Sequence, residues 1–555
     1  MTRRRPAPAF VAAVAVAAVA AVLTFARLGA PPGIVFDETY YVPDARAMLE
    51  TGAEDDFAVH PPLGKWLIGA GIAVVGDTPA GWRGGGAALS VLAVAASVEI
   101  ARRLTGRLLF GVVAGALVLA DGVWITLARL AMLDSALAAF VTFGTLALVV
   151  DHQRATARAS DVLAHGPAAS STGTDDGERH STERAAPTVS RWPLWLAGVA
   201  FGAAAATKWS ALFALAGAGL LALGWEVAAR RRRASPAGDH GPGIPIGSLA
   251  RVAGALVLVP TAVYALSWAP WLAGYAATTI AAERCEVDGV RDPGCAPPWS
   301  ERLAGLARHH ADITRFHLGL EAEHPYRAPA TTWPAQVRPV VAHYESCDET
   351  GTRDDGTPCL GPAGRASEVA ILGNPALWWS ALLLVPLSAA ALRRRDGAAV
   401  VPLVMLGAQF VPWLIAARPV FNFYTVPLVP MLAVAVVVAC AELDRPALRR
   451  WTLGAGAGAA IAVGAATLAT GAGRPAATTA AVLAATAGVA VGSFLDERRA
   501  RRWGAPTRAL RVGTITSLLV LAAAAVLLVY LSPLWFALPI EESSLRQRWW
   551  LRSWV

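Results

Sequence analysis

"MTRRRPAPAFVAAVAVAAVAAVLTFARLGAPPGIVFDETYY", residues 1–41, decides the fold. Arginines precede an apolar run of about 20 residues, long enough for one helix to cross a hydrocarbon core. Cations of this kind flank membrane helices mainly on the cytoplasmic side. No clear small-residue cleavage site precedes "PPGIVFDE", so the run reads as a retained first helix. Two adjacent carboxylates, Asp37 and Glu38, then stand just beyond its exit, flanked by aromatic residues.

The same pattern repeats along the chain. Its 555 residues are 55% hydrophobic with a mean hydropathy of +0.47, so a reading in lipid replaces the usual count of soluble domains. Further apolar spans fall near 84–101, 108–125, 134–151, 193–206, 209–227, 248–271, 375–392, 399–416, 424–442, 452–471, 476–494 and 513–531. The expected architecture is an all-α polytopic membrane protein with about 11–13 transmembrane helices. A net charge of +8 does not indicate nucleic acid, because the basic residues sit in short clusters between spans. Those clusters include Arg102, Arg103 and Arg107, Arg230 to Arg233, and Arg393 to Arg395. Every loop assigned to the inside carries basic charge, which places the N-terminus in the cytoplasm of a plasma-membrane protein. Only Lys65 and Lys208 are lysines among the 48 basic residues, an arginine- and alanine-rich bias that fits a GC-rich coding sequence such as an actinobacterial one.

This topology divides the chain into a membrane module over 1–271, a large outside loop over 272–374, C-terminal helices over 375–531 and an outside tail over 532–555. Residues 30–83 form a first outside loop. Residues 152–192, rich in Ala, Ser, Thr and Gly, read as a disordered inside insert. Four of the five cysteines, Cys285, Cys295, Cys347 and Cys359, lie in the large loop, which fits disulfides in an oxidising compartment. Pairing 285–295 and 347–359 is the simplest of three connectivities. The 20 tryptophans, many near span ends, read mostly as an interfacial belt.

The polar motifs collect on the outside face: Asp37–Glu38, "VHPPLGKW" (59–66), "ARLAMLDS" (128–135), "ATKWS" (206–210), "EAEHPYRAPATTWP" (321–334) and "AARPVFNFYTVP" (416–427). Cations there run against the usual bias and call for an anionic partner, such as a polyprenyl phosphate headgroup. Arg129, Lys65, Lys208, Arg327 and Arg418 are the candidates, because arginine grips phosphate with two parallel donors and lysine does so as a point charge. His60, Asp134, His324, Tyr326 and Asn422 are supporting candidates. The chemistry this suits is glycosyl transfer from a lipid-phosphate sugar. The departing phosphate needs cations more than a general acid. The acceptor hydroxyl needs one carboxylate as base. A single displacement inverts the anomeric centre. The histidine stretches lack ligand spacing for zinc, so no metal and no tightly bound cofactor is expected, and dependence on a divalent ion stays open.

Together, "FDETYYVPDARAML", "VHPPLGKWLIG", "RLAMLDSAL", "ATKWSALF", "EHPYRAPATTWP" and "GNPALWW" resemble the protein O-mannosyltransferases, most of all their bacterial branch. The resemblance runs from about residue 20 to 442. It implies a GT-C membrane fold, a polyprenyl-phosphate-mannose donor, and mannose transfer to Ser or Thr of secreted or membrane proteins, including proteins in Sec export. It implies Asp37 as base with Glu38 its essential neighbour, and Arg129 near the donor phosphate. The 272–374 loop is too short for the β-trefoil domain of eukaryotic members. Two other functions fit the pattern less well: a GT-C transferase moving sugar to a lipid or cell-wall polymer, and a secondary transporter. The latter calls for internal repeats and mid-membrane charges, whereas the polar residues here cluster at one face.

Overall fold

The structure, a computed structural model, describes residues 7–54, 59–165, 190–233, 246–292, 294–321, 323–353, 355–392, 397–444 and 511–554. The first helices are α1 (Pro8–Phe25), α2 (Glu38–Thr51), α3 (Leu63–Val75), α4 (Pro79–Thr105), α5 (Leu108–Leu119), α6 (Gly122–Ala128), α7 (Leu133–His165), α8 (Trp192–Ala205) and α9 (Ala211–Arg233). Helices over Ile246–Ser267, Pro375–Leu392, Val400–Leu414, Asn422–Leu443 and Val512–Phe536 complete the bundle. Among the described residues, seven helices are long and apolar enough to cross a membrane, or eight if α5 and α6, bent by 64°, count as one span. Shorter apolar helices stand at 63–75, 192–205, 375–388 and 400–414. A helix occupies each expected span except 452–471 and 476–494, which lie outside the described residues.

The Asn422–Leu443 helix is apolar on every side and almost wholly buried, so it forms the axis of the bundle. Around it pack α4, α5, the Pro375–Leu392 helix and the Val512–Phe536 helix. Small residues set the closest crossings, as expected where helices associate through packing alone. In the α3–α4 hairpin, a Cβ at Gly71 would sit 2.1 Å from the Gly81 carbonyl oxygen, and one at Gly85 would sit 2.4 Å from that of Leu67. Backbone meets backbone there, and only glycine permits it.

Two features depart from the sequence reading. The 30–83 segment is no loop, because it holds α2 and α3. At 13 residues α3 is roughly 20 Å long, too short to span, and α2 is too polar to register as a span. The 152–192 segment begins as helix, since α7 continues to His165. Its Ala, Arg and Gln residues favour helix, and Gln153 bonds Arg103 at 3.0 Å while His152 stacks on Trp225. Residues 166–189 lie outside the described residues.

The basic ends of the helices gather together. Arg191 pairs with Asp151 at 2.6 Å and Glu226 at 3.2 Å, and Arg107 pairs with Asp444. Asp151 is roughly 25 Å along α7 from Asp134, so this end of the bundle is opposite the end bearing the polar motifs. At the motif end, the 272–374 region folds around a helix at Trp299–Gly319 and two hairpins, Glu286–Val287 with Val290–Arg291 and Val340–Ser346 with Ala366–Ile371. Cys285 is bonded to Cys295, and Cys347 to Cys359. The C-terminal tail returns to this region: Ile540 pairs with Ala366, and Trp554 Nε1 donates to the Gln336 carbonyl at 2.8 Å. Among the described residues ten tryptophans are buried, including Trp268, Trp271, Trp333 and Trp535, so these serve as core rather than as an interfacial belt.

Candidate active site

The chain leaving α1 is fastened before it reaches the acidic pair. Arg129, 2% exposed, donates to the carbonyls of Leu23, Thr24, Ala26 and Arg27 at 2.5–3.1 Å, and its guanidinium lies over the Phe536 ring. These are the orphan carbonyls of a helix C-terminus. Arg83, fully buried, takes the next stretch and donates to the carbonyls of Leu28, Pro31 and Gly33. Phe36 then adopts a positive φ of 52°, a conformation that costs a non-glycine residue about 1 kcal/mol or more, and its ring meets Phe423 edge-on at 5.5 Å.

Beyond this turn the two carboxylates part. Glu38 is fully buried and fully bonded. Arg83 Nε and Nη2 donate to it at 2.7 and 2.9 Å, and the Ala131 and Val35 amides donate at 2.8 and 3.1 Å. It therefore has no lone pair to spare for a substrate. Asp37 is half-buried, and no described residue donates a hydrogen bond to its carboxylate. Burial lifts its pKa to about 6, with Lys208 pulling down and Asp134 pushing up. Lys208 and Asp134 hold each other across 2.9 Å to both carboxylate oxygens, and the Lys208 ammonium lies 5.0 Å from the Tyr424 ring and 5.6 Å from Phe423.

Arg418 approaches from the turn before the Asn422–Leu443 helix. Its Nη2 donates to the Tyr424 hydroxyl at 3.0 Å and its Nη1 to His317 Nδ1 at 2.6 Å, while its buried Nε has no acceptor among the described residues. His60 lies beside this group, its ring 5.3 Å from that of His317, and its buried Nδ1 is also without a partner. Burial, then the positive charges of Lys208 and its other cationic neighbours, hold His60 well below the ordinary imidazole range. The site thus offers two cations, Lys208 and Arg418, the latter with an unsatisfied Nε donor, and one carboxylate, Asp37, that no described residue binds.

Several expected site residues have other duties. Arg129 is engaged by the carbonyls at the end of α1. Lys65 is fully buried and pairs with Asp44 at 2.9 Å and with Glu54, which in turn meets His309 at 2.6 Å. It is a structural ion-pair centre, because every unit of its charge is already faced by carboxylate. Arg327 is exposed on the large loop. His324 accepts from the Tyr326 amide at 3.2 Å and packs on Phe421, and Tyr326 faces Arg338. Asn422 donates to Gln336 and to the Ile371 carbonyl, tying loop to bundle. The arrangement adds Arg83, His317 and Tyr424, which the sequence reading had not assigned. Arg83 had one legible signal, an arginine in the glycine-rich start of an apolar helix. Among the described residues, the one group close enough to hold a metal is Glu345, Cys347 and Cys359, and its sulfurs are joined in a disulfide and offer no thiolate.

An apolar groove of about 700 Å³ adjoins this site. It runs between α9 and the Ile246–Ser267 helix, from Trp209 and Tyr264 at the motif end towards Leu223 and Leu249. Trp209 Nε1 donates to the Tyr264 hydroxyl at 3.1 Å, and that hydroxyl is 2.8 Å from His310.

A family profile described as dolichyl-phosphate-mannose-protein mannosyltransferase matches residues 78–165. The polyprenol-phosphate-mannose–protein mannosyltransferase of Corynebacterium glutamicum is 32% identical over 433 residues, covering 74% of this chain and 77% of that protein. The protein of the same description from Mycobacterium tuberculosis is 33% identical over 427 residues, covering 74% and 76%. The fold is similar to the Saccharomyces cerevisiae protein O-mannosyltransferase Pmt1–Pmt2 complex, with a TM-score of 0.68 at 12% identity over 100% of this chain and 93% of that one.

Proposed function

This chain belongs to the polyprenol-phosphate-mannose–protein mannosyltransferases, and from that premise we propose that it moves mannose from the lipid phosphate onto Ser or Thr hydroxyls with Asp37 as general base. It is a multi-pass membrane glycosyltransferase. The observation that carries the assignment of the base is the division of labour among the three acids: Glu38 is closed by Arg83, Asp134 is closed by Lys208, and the Asp37 carboxylate alone has no donor among the described residues.

The step is a single displacement. The acceptor oxygen attacks the anomeric carbon as Asp37 takes its proton, and the bond from that carbon to the phosphate oxygen breaks. The departing anion gathers charge, and the Arg418 Nε donor, with Lys208 beside it, meets that charge without reorganising. Attack from the face opposite the phosphate inverts the sugar. A carboxylate titrating near 6 is ionised at neutral pH and is a better proton acceptor than an ordinary aspartate. The apolar groove beside Lys208 takes the polyprenyl chain, its volume lying in the usual range for a ligand site.

The basic end of the bundle is the cytoplasmic one, by the bias of Lys and Arg in short loops, so the acidic pair works on the extracytoplasmic face. Acceptors reach that face as secreted or membrane proteins, including during Sec export.

The test is transfer by the purified protein in lipid nanodiscs, from polyprenyl-phosphate mannose labelled in the sugar to a Ser/Thr-rich peptide. Label on the peptide, lost in Asp37→Asn, is expected. Label appearing only in lipid or polymer, or retained turnover by Asp37→Asn, would overturn the reading.

A further inference from the structure

The Trp299–Gly319 helix belongs to the large loop, yet its last turn reaches into the cationic face of the site through His317. His317 Nε2 lies 2.9 Å from the Val59 carbonyl oxygen. A carbonyl can only accept, so Nε2 carries a proton. His317 Nδ1 lies 2.6 Å from Arg418 Nη1, which can only donate, so Nδ1 is bare. The two contacts fix one neutral tautomer, as second partners fix the rings of functional histidines elsewhere. The imidazole is further held between the His60 ring at 5.3 Å and the Trp209 ring at 6.0 Å. Among the described residues, Arg418 in turn has two anchors, His317 and Tyr424, and its Nε has no acceptor.

We propose that His317 is a positioning residue for donor binding: its bare Nδ1 holds the Arg418 guanidinium in the orientation that presents Nε to the donor's phosphate. The proposal rests on the reading of Arg418 as a phosphate ligand. A neutral acceptor suits this task better than a carboxylate, which would neutralise the cation it aims. On this reading the large loop has a part in a reaction whose base lies elsewhere: it sets the aim of a cation contributed by the bundle.

Two isosteres separate this role from mere scaffolding. In His317→Asn the amide oxygen takes the place of Nδ1 and keeps the Arg418 contact while losing Val59. In His317→Gln the amide nitrogen takes the place of Nε2 and keeps the Val59 contact while losing Arg418. Steady-state transfer is measured with polyprenyl-phosphate mannose and peptide varied separately. His317→Gln and His317→Ala are expected to raise the donor KM about tenfold with the peptide KM unchanged, and His317→Asn to recover most of it. Adding His317→Ala to Arg418→Ala should cost nothing further, since residues acting as one unit are not additive. Rescue by Gln rather than Asn, or independent multiplicative effects of the two alanine changes, overturns the proposal. An unchanged donor KM in Arg418→Ala itself refutes the phosphate role of Arg418, a separate failure. Should His317→Ala fail to fold, the Asn and Gln pair decides alone.

Discussion

Arg83 closes two of its nitrogens on Glu38, at 2.7 and 2.9 Å, and so holds in place the acid next in sequence to the proposed base, Asp37. The pair is wholly buried. Its purpose is to anchor the loop that follows α1, since Arg83 also holds three carbonyls of that loop.

Removing one member of such a pair strands a buried charge, at a cost of about 3–5 kcal/mol. Arg83→Ala and Glu38→Ala should therefore lose activity and thermal stability together, read as turnover and as Tm in detergent. A stable but inactive Glu38→Ala would show instead that Glu38 takes part in the reaction.

Asp37→Asn should behave in the opposite way. Turnover should fall by about 10²–10⁴, the usual contribution of a general base. Burial holds the Asp37 pKa at about 6 in the fold against an ordinary value of 3.8. Its ionised form is thus disfavoured by folding, and the penalty develops as pH rises from about 4 to about 6. The neutral amide escapes that penalty, so Tm at pH 7 should be unchanged or higher. In the native protein, kcat/KM for the acceptor should drop about tenfold per pH unit below 6. A limb centred near 4 would exclude Asp37 as the titrating base.

Lys208→Met should destabilise the protein by about 3–5 kcal/mol, because Asp134 is left buried without its partner. Adding Asp134→Leu should restore most of the Tm. Transfer should stay low in both variants if the ammonium is needed by the donor. Recovery of turnover along with Tm would reduce Lys208 to a structural role.

Arg129→Ala should lower Tm while leaving the donor KM unchanged, with a cost of about 1.5–3 kcal/mol for hydrogen bonds made by a charged donor. A raised donor KM at normal Tm would return Arg129 to the phosphate site.

Much of the architecture was legible because lipid imposes a coarse code. An apolar run of sufficient length leaves the backbone few alternatives to helix, so nearly every expected span has a helix. That the polar motifs gather at one end of the bundle was legible for a related reason, since charge is costly near lipid and its persistence marks a candidate site. What could not be read was which charge answers which. Arg129 and Arg418 look alike in sequence, each an arginine at a helix boundary, but one meets main-chain carbonyls and the other meets His317. Lys65 and Lys208 differ only in partners that lie far away in the chain or belong to other elements, Asp44 and Glu54 for one and Asp134 for the other. Adjacent acids need not share a task, and Asp37 and Glu38 do face different surroundings, but the partners that hold Glu38, Arg83 and the Ala131 amide, are not legible from its neighbours in the chain. His317 carried no signal, since the contact that gives it meaning crosses 101 residues.

The glycine seam between α3 and α4 has a mechanical consequence. Most neighbouring helices are separated by a cushion of side chains that can change rotamer and absorb a small displacement. Where Gly71 and Gly85 bring carbonyl against Cα, that cushion is missing, and the hairpin should respond as a single stiff lever. Arg83 rides on that lever two residues from Gly85. A shift of α3 should therefore reach the anchorage of Glu38 with little damping, and from there the carboxylate beside it. Bulk added at this seam should detune the reaction by geometry alone.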